Sequence, residues 1–358
     1  MKKNGIFDYL SWRGDLDFAR DPFCEVDNLV FSQISYIDYT DIADGWDIYE
    51  AQNLFDAIAE YEMLSPERKY LGAIIPRDTE PLAREASRLA RYRDVKVFGY
   101  VNIIDESAES QFCAVTFLLP SGEAVVTYRG TDDTLVGWKE NLNMSFLPVT
   151  SAQKHALRYL SRVADVTGER GIYVCGHSKG GNLAVWAAVK CRSDVNDRVV
   201  AAYNYDGPGF DRAFIESDEY KKTRDRIRTL VPRSSVVGML LEHEENYDVV
   251  MSTYTGLLQH NAFSWEIMGG RFIYTDSVTA ESRRIDNTLK RWLAEISVEK
   301  RKQIINSLYE ILSSTNAKTL TELNADKLAL IKAWNALDAE SKKIVRRCIA
   351  LIVKNTKK

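Results

Sequence analysis

One serine of the 358-residue chain stands where hydrolytic chemistry would need it. Ser178 lies in Gly176-His177-Ser178-Lys179-Gly180-Gly181, behind the apolar run 172–175 and ahead of Leu183, Ala184, Ala187 and Ala188 at helical spacing. Strand, Gly-x-Ser-x-Gly and helix in that order form a nucleophile elbow with the serine at its tip. A hydroxyl on so sharp a turn occupies a strained stretch of backbone. Its neighbours two positions away must lack bulk so that strand and helix can approach each other. The turn also leaves the amide of Lys179 at a helix N-terminus, where it can donate to an oxyanion.

The flanking elements predict how such a serine is held. Strand formers fill 95–104, 111–119 and 123–128, and Pro120-Ser121-Gly122 joins the last two as a hairpin. Helical patterns over 134–142 and 151–166 lead to the elbow strand, and further apolar runs follow at 199–205, 227–232 and 234–241. Alternating strands and helices predict an α/β fold: a mostly parallel sheet with helices on both faces. Ligands in such sheets bind at the carboxyl ends of the strands. Thr131, Ser178 and Asp206 each follow a predicted strand end, so they share one rim.

The first 94 residues read as edge strands and covering helices. There 28–37 fits a strand or a buried helix, 51–63 and 81–93 read as helices, and Pro81 suits a first helical turn. Beyond 272 the pattern turns helical, over 277–296, 297–312, 323–337 and 341–353. The expected domains are a hydrolase domain over 1–275, with its core at about 95–275, and a helical extension over 276–358. From Lys300 onward thirteen Lys/Arg face five Asp/Glu, a local charge of +8 against −4 for the whole chain. A packed extension with a solvated basic face is the expectation, and contact with an anionic membrane surface is the alternative.

Composition narrows the class further. With 45% hydrophobic and 27% charged residues this is an ordinary globular chain. Its five cysteines are scattered without CxxC spacing, which favours reduced thiols and a cytoplasmic setting. No signal peptide and no membrane-spanning run is read. Neither a metal-ligand cluster nor a Walker or dinucleotide loop stands out, so no metal, cofactor or nucleic-acid partner is expected. Oligomeric state is not legible.

Four separated motifs resemble a known family. GHSKGGNLA around Ser178 and YRGTDDTLVGWKENL upstream are similar to the class 3 lipases. The closer resemblance is to the bacterial Mbeg-like α/β-hydrolases, long a domain of unknown function, through GHSKGGNLA, YDGPGF, VGMLLEH and QH followed by FSW over roughly residues 25–275. The resemblance implies an α/β-hydrolase fold and cleavage of a small-molecule acyl ester by a Ser-His-Asp triad. The same triad would serve a thioesterase, an amidase or an acyltransferase. A binding or effector module that keeps the elbow without turnover is the alternative from another class.

Chain order in this fold runs Ser, acid, His. Only His243 and His260 follow Ser178, and His260, in LLQHNAFSW, is the expected base. Laying RTLVPRSSVVGMLL on the class 3 acid segment puts Ser235 at the acid's position. Asp206, in a DGPGF context similar to that of the pancreatic-type lipases, is therefore the expected carboxylate, with Glu242 and Asp248 behind it. The expected oxyanion donors are the amides of Lys179 and, by resemblance, Thr131, with the Thr131 hydroxyl as a further group. His177 is expected to point away from the rim as a packing residue, His155 to be solvated, and Trp138 to pack in the core or join a lid.

Overall fold

The structure is a computed structural model that describes residues 4–313 apart from 70, 73, 145, 242–246 and 296, with scattered residues between 317 and 346. The chain begins with α1 (Ile6–Arg13), α2 (Glu25–Ile34), β1 (Gln52–Asn53), α3 (Leu54–Glu62) and α4 (Thr79–Arg88). The antiparallel strands β2 (Lys96–Asp105), β3 (Ser110–Leu118) and β4 (Ala124–Tyr128) come next. Then follow α5 (Leu135–Asn143), α6 (Ser151–Thr167), β5 (Ile172–His177), α7 (Lys179–Lys190), α8 (Ser193–Arg198) and β6 (Val199–Tyr205). The remainder comprises α9 (Arg212–Ile215), α10 (Asp218–Thr223), β7 (Ile227–Pro232), β8 (Asp248–Val250), β9 (Ile267–Met268), β10 (Arg271–Phe272), β11 (Tyr274–Thr275), α11 (Ala280–Glu295) and α12 (Val298–Ser313).

Nine strands form one sheet in the order β1-β2-β3-β4-β5-β6-β7-β8-β11, and β9 pairs with β10 apart from it. The run β4 to β8 is parallel throughout, and antiparallel pairs lie at either side. Alternation along the strands sends side chains into two cores. Val125 and Cys175 face α1–α4, while Val126 and Val174 face α6 and α7. This is a mixed sheet covered by helices on both faces, with a parallel centre from β4 to β8.

The stretch 28–37, open between strand and helix, lies largely in α2, whose residues from Val26 to Ile34 are all buried. Its Asp27 is clamped by the buried Arg91, with Nη2–Oδ2 at 2.5 Å and Nε–Oδ1 at 2.7 Å, which ties α2 to the segment after α4. The apolar run 234–241 holds turns and bends rather than a sheet element; the strand beyond it is β8. His155 is half-buried and stacks on Phe112 with ring centroids 5.5 Å apart, so it is not the solvated residue expected.

The helical patterns at 277–296 and 297–312 appear as α11 and α12; those at 323–337 and 341–353 lie largely outside the described residues. The C-terminal segment meets the body of the fold. Lys139 of α5 lies 4.2 Å over the Tyr309 ring, and Thr134 bridges Thr319. Leu135 N–H donates to Lys318 O at 2.9 Å, and Thr321 N–H donates to Asp133 Oδ2 at 3.1 Å. Among the described residues no helix is long and apolar enough to cross a membrane.

Candidate active site

The elbow forms because glycine removes every side chain that would keep β5 from α7. A Cβ on Gly180 would lie 2.0 Å from Tyr128 O, and one on Gly176 would lie 2.3 Å from Gly180 C. Between them Ser178 takes φ 58° and ψ −131°, a conformation costing about 1–3 kcal/mol for a non-glycine residue. Its own amide is held by Tyr205 O at 2.9 Å. The Lys179 amide is then the first of α7, at the positive end of a twelve-residue helix.

Burial of the Lys179 side chain was not legible in the sequence. Its ammonium donates to Gln111 O at 2.5 Å and Gln111 Oε1 at 2.6 Å, and pairs with Glu140 Oε2 at 3.2 Å. Glu140 also accepts from the backbone amides of Gln111 (3.0 Å) and Ala152 (2.8 Å). One carboxylate thus ties β3, the start of α6 and the residue after the elbow serine. Desolvation holds the Lys179 ammonium below its usual pKa, and the Glu140 charge opposes that shift.

Asp206 follows β6 as Ser178 follows β5, again with positive φ (52°). It is fully buried, with its amide on Leu230 O at 2.8 Å. Oδ1 accepts from Ser235 Oγ at 2.5 Å and from Gly238 N–H at 3.1 Å. A Cβ on Gly238 would lie 2.3 Å from that oxygen, so glycine is needed for this contact. Oδ2 lies 2.6 Å from His260 Nδ1. A carboxylate only accepts, so Nδ1 carries the ring proton and Nε2 is left as an acceptor. Ser235, at the class 3 acid's position, therefore donates to a carboxylate on the neighbouring strand. Asp248 is exposed on β8, and Glu242 and His243 lie outside the described residues.

His260 sits on a loop fastened by Gln259. The Gln259 side chain accepts from Ser234 N–H (2.8 Å) and donates to Tyr254 O (2.9 Å), while its carbonyl accepts from the fully buried Trp265 indole (2.9 Å). His177 does not point away from this region. Its Nε2–H donates to His260 O at 2.8 Å, and the two rings lie 4.6 Å apart. Period-2 alternation puts His177 on the Cys175 face, the face over which Ala262 and Trp265 pack. Burial, and secondarily His260, press its pKa down to about 3, so the ring is neutral.

Past β4, Arg129 pairs with Asp132 at 3.0 Å, and Asp132 Oδ1 accepts from Thr134 N–H at 2.9 Å, which fixes the turn carrying Thr131. The Gly130 amide donates to the Tyr36 hydroxyl at 3.1 Å, and Thr131 Oγ1 accepts from the Asn141 amide. Tyr36 bears no local motif, and Asn141, although it lies within YRGTDDTLVGWKENL, is given no role by the sequence.

Thr131, Ser178, Lys179, His177 and His260 line one cavity of about 680 Å³, a volume usual for small-molecule sites. Much of its remaining wall is apolar, including Ile75, Leu142, Val237 and Leu257. Trp138 lines it too and is 42% exposed, so it is not core. The reason lies in α5, which buries Lys139, Glu140 and Asn143 and presents Trp138 and Leu142 outward. Among the described residues no hydrogen bond joins Ser178 Oγ to the His260 ring.

A family model described as Mbeg1-like matches residues 86–310. Among solved structures, the chain is similar to a fungal lipase–inhibitor complex at 13% identity and TM-score 0.42, over 71% of this chain and 89% of that one. It is similar to the Rhizomucor miehei lipase–propeptide complex at 13% and 0.38, over 77% and 78%. For the Lip2 lipase of Yarrowia lipolytica the figures are 10% and 0.34, over 69% and 85%. No curated protein matches the chain.

Proposed function

The chain belongs to the Mbeg1-like family, and from that footing we propose that it is a serine hydrolase acting on a carboxylic ester or related acyl bond. Ser178 Oγ attacks the acyl carbon as His260 Nε2 takes its proton, and Asp206 steadies the imidazolium through Nδ1–H. The carbonyl oxygen gains the negative charge and accepts from the Lys179 amide and from Thr131. The Asn141 amide occupies a lone pair of Thr131 Oγ1, which leaves the hydroxyl proton for the oxyanion. His260 then gives its proton to the leaving group, and water releases the acyl-enzyme by the same steps in reverse.

The observation that carries this reading is the Asp206–His260 contact of 2.6 Å beside a cavity that Ser178 also lines. A thioester, an amide or an acyl acceptor other than water would meet the same groups. The test is labelling by a fluorophosphonate probe together with turnover of a p-nitrophenyl ester series. Both are expected in the wild-type chain and absent in Ser178→Ala with its fold retained. Labelling that survives in Ser178→Ala would put the nucleophile elsewhere; a wild-type chain that neither labels nor turns over would be a binding module.

A further inference from the structure

The serine-hydrolase reading gives the oxyanion two donors, and the wall beside them holds a third hydrogen-bonding group without a role. Tyr36 follows α2, is 6% exposed and lines the cavity together with Ser178. Its phenol oxygen accepts from the Gly130 amide at 3.1 Å, in the loop that leads to Thr131. A phenol has one proton of its own to donate. Among the described residues nothing accepts it: the Gly130 contact is the hydrogen bond Tyr36 makes there, and in it Tyr36 is the acceptor. The cavity that Tyr36 lines is a space in which an acceptor for that proton can sit. The position relative to the nucleophile follows from Gly130. A methyl group there would lie 2.3 Å from the Tyr36 oxygen and 3.3 Å from Ser178 Cβ, so phenol and serine flank the same point.

We propose that Tyr36 is a catalytic residue of the hydrolase, donating its phenol hydrogen bond to the oxyanion formed on Ser178 attack. The inference rests on the serine-hydrolase reading. As the carbon–oxygen π pair moves onto oxygen, the phenol contributes a hydrogen bond and keeps its proton. Burial pushes the phenol's ionisation well above its ordinary range, so it remains a donor through the working range of the enzyme. The Gly130 amide strengthens it in that task, because a hydroxyl that accepts a hydrogen bond donates more strongly. One phenol thereby links two functions, holding the Thr131 loop in place and stabilising the charge.

The alternative is a strut that only accepts from Gly130, and two variants separate the roles. Tyr36→Phe is expected to lower kcat about 100-fold, the lower end for loss of one oxyanion donor, with KM held within about twofold. The same variant should weaken binding of a trifluoromethyl ketone, whose adduct with Ser178 carries the oxyanion, while binding of the matching alcohol, which forms no adduct, is unchanged. Equal weakening of ketone and alcohol, or of neither, overturns the proposal. Because Tyr36→Phe also leaves the Gly130 amide without its acceptor, 3,5-difluorotyrosine at position 36 decides between donor and strut. Fluorine makes the phenol a better donor and a poorer acceptor, so kcat should hold or rise, and a fall would mark a strut. A wild-type chain that forms no ketone adduct refutes the serine-hydrolase reading itself, whereas an adduct indifferent to position 36 refutes only the role of Tyr36.

Discussion

Replacing Asp206 by asparagine removes one charge and, through it, the direction of a proton. The carboxylate has no contact with solvent and divides its two oxygens between fixed partners. Oδ1 takes the Ser235 hydroxyl and the Gly238 amide, and the latter can only donate. The oxygen of an asparagine must therefore occupy that side. Its NH2 then faces His260 Nδ1 across the 2.6 Å now bridged by the ring proton. Two donors cannot meet there, so the imidazole moves its proton to Nε2 and loses its ability to take one from Ser178. The expected loss in kcat is about 10⁴-fold, or about 5.5 kcal/mol of barrier, the size seen when a triad carboxylate is neutralised. Initial rates on a short-chain p-nitrophenyl ester measure it, with the urea midpoint reporting whether the fold persists. An Asp206→Asn variant that folds normally and keeps more than a tenth of the wild-type kcat refutes the tautomer argument.

Two further outcomes concern the supports of the site. Glu140→Gln leaves the Lys179 ammonium buried without its counter-charge, and should cost about 3–5 kcal/mol in urea unfolding; a loss below about 1 kcal/mol would mean that Gln111 alone suffices. His177, with a pKa pressed to about 3 by burial and by His260, stays neutral in the fold, while the unfolded chain protonates near the ordinary histidine value of 6.5. Between those two values the unfolded state binds the extra proton, so stability falls as pH falls, by up to about 1.4 kcal/mol per unit. Relative to wild type, His177→Asn should show a shallower decline in urea midpoint between pH 6.5 and 4, and parallel declines would contradict the buried neutral ring.

Much of the sheet was legible because its strands are largely buried and rich in apolar and β-branched residues. The runs 199–205 and 227–232 coincide with β6 and β7. The helix α2 was ambiguous for the same reason, since a helix buried all round has no polar face to betray its period. β8 and β11, three and two residues long, carry too few positions for a pattern. At the candidate site, the turn at Ser178 was legible from the glycines that it demands, and the Asp206–His260 contact was expected from chain order together with the resemblance of the DGPGF segment. Lys179 with Glu140, 39 residues apart, and Tyr36 with Gly130, 94 apart, leave no local trace, because each pairing exists only once the sheet is assembled. Trp138 misled because apolar residues ordinarily face inward, whereas α5 buries Lys139, Glu140 and Asn143 together with Leu135 and Val136 and leaves Trp138 and Leu142 to line the cavity.

The contacts of α5 bear on how the protein comes into being. Its three sides meet the elbow through Glu140, the cavity through Trp138, and residues 309–321 through Lys139 and the turn at 133–135. Asp133 and Thr321 are 188 residues apart, which at the pace of the ribosome is about 10–40 s of synthesis. During that interval the nascent chain can assemble β4 to β8 with Ser178, Asp206 and His260 in their places, while α5 still waits for its outer partner. The side chains of the candidate site are thus placed early and one wall of their chamber is seated late.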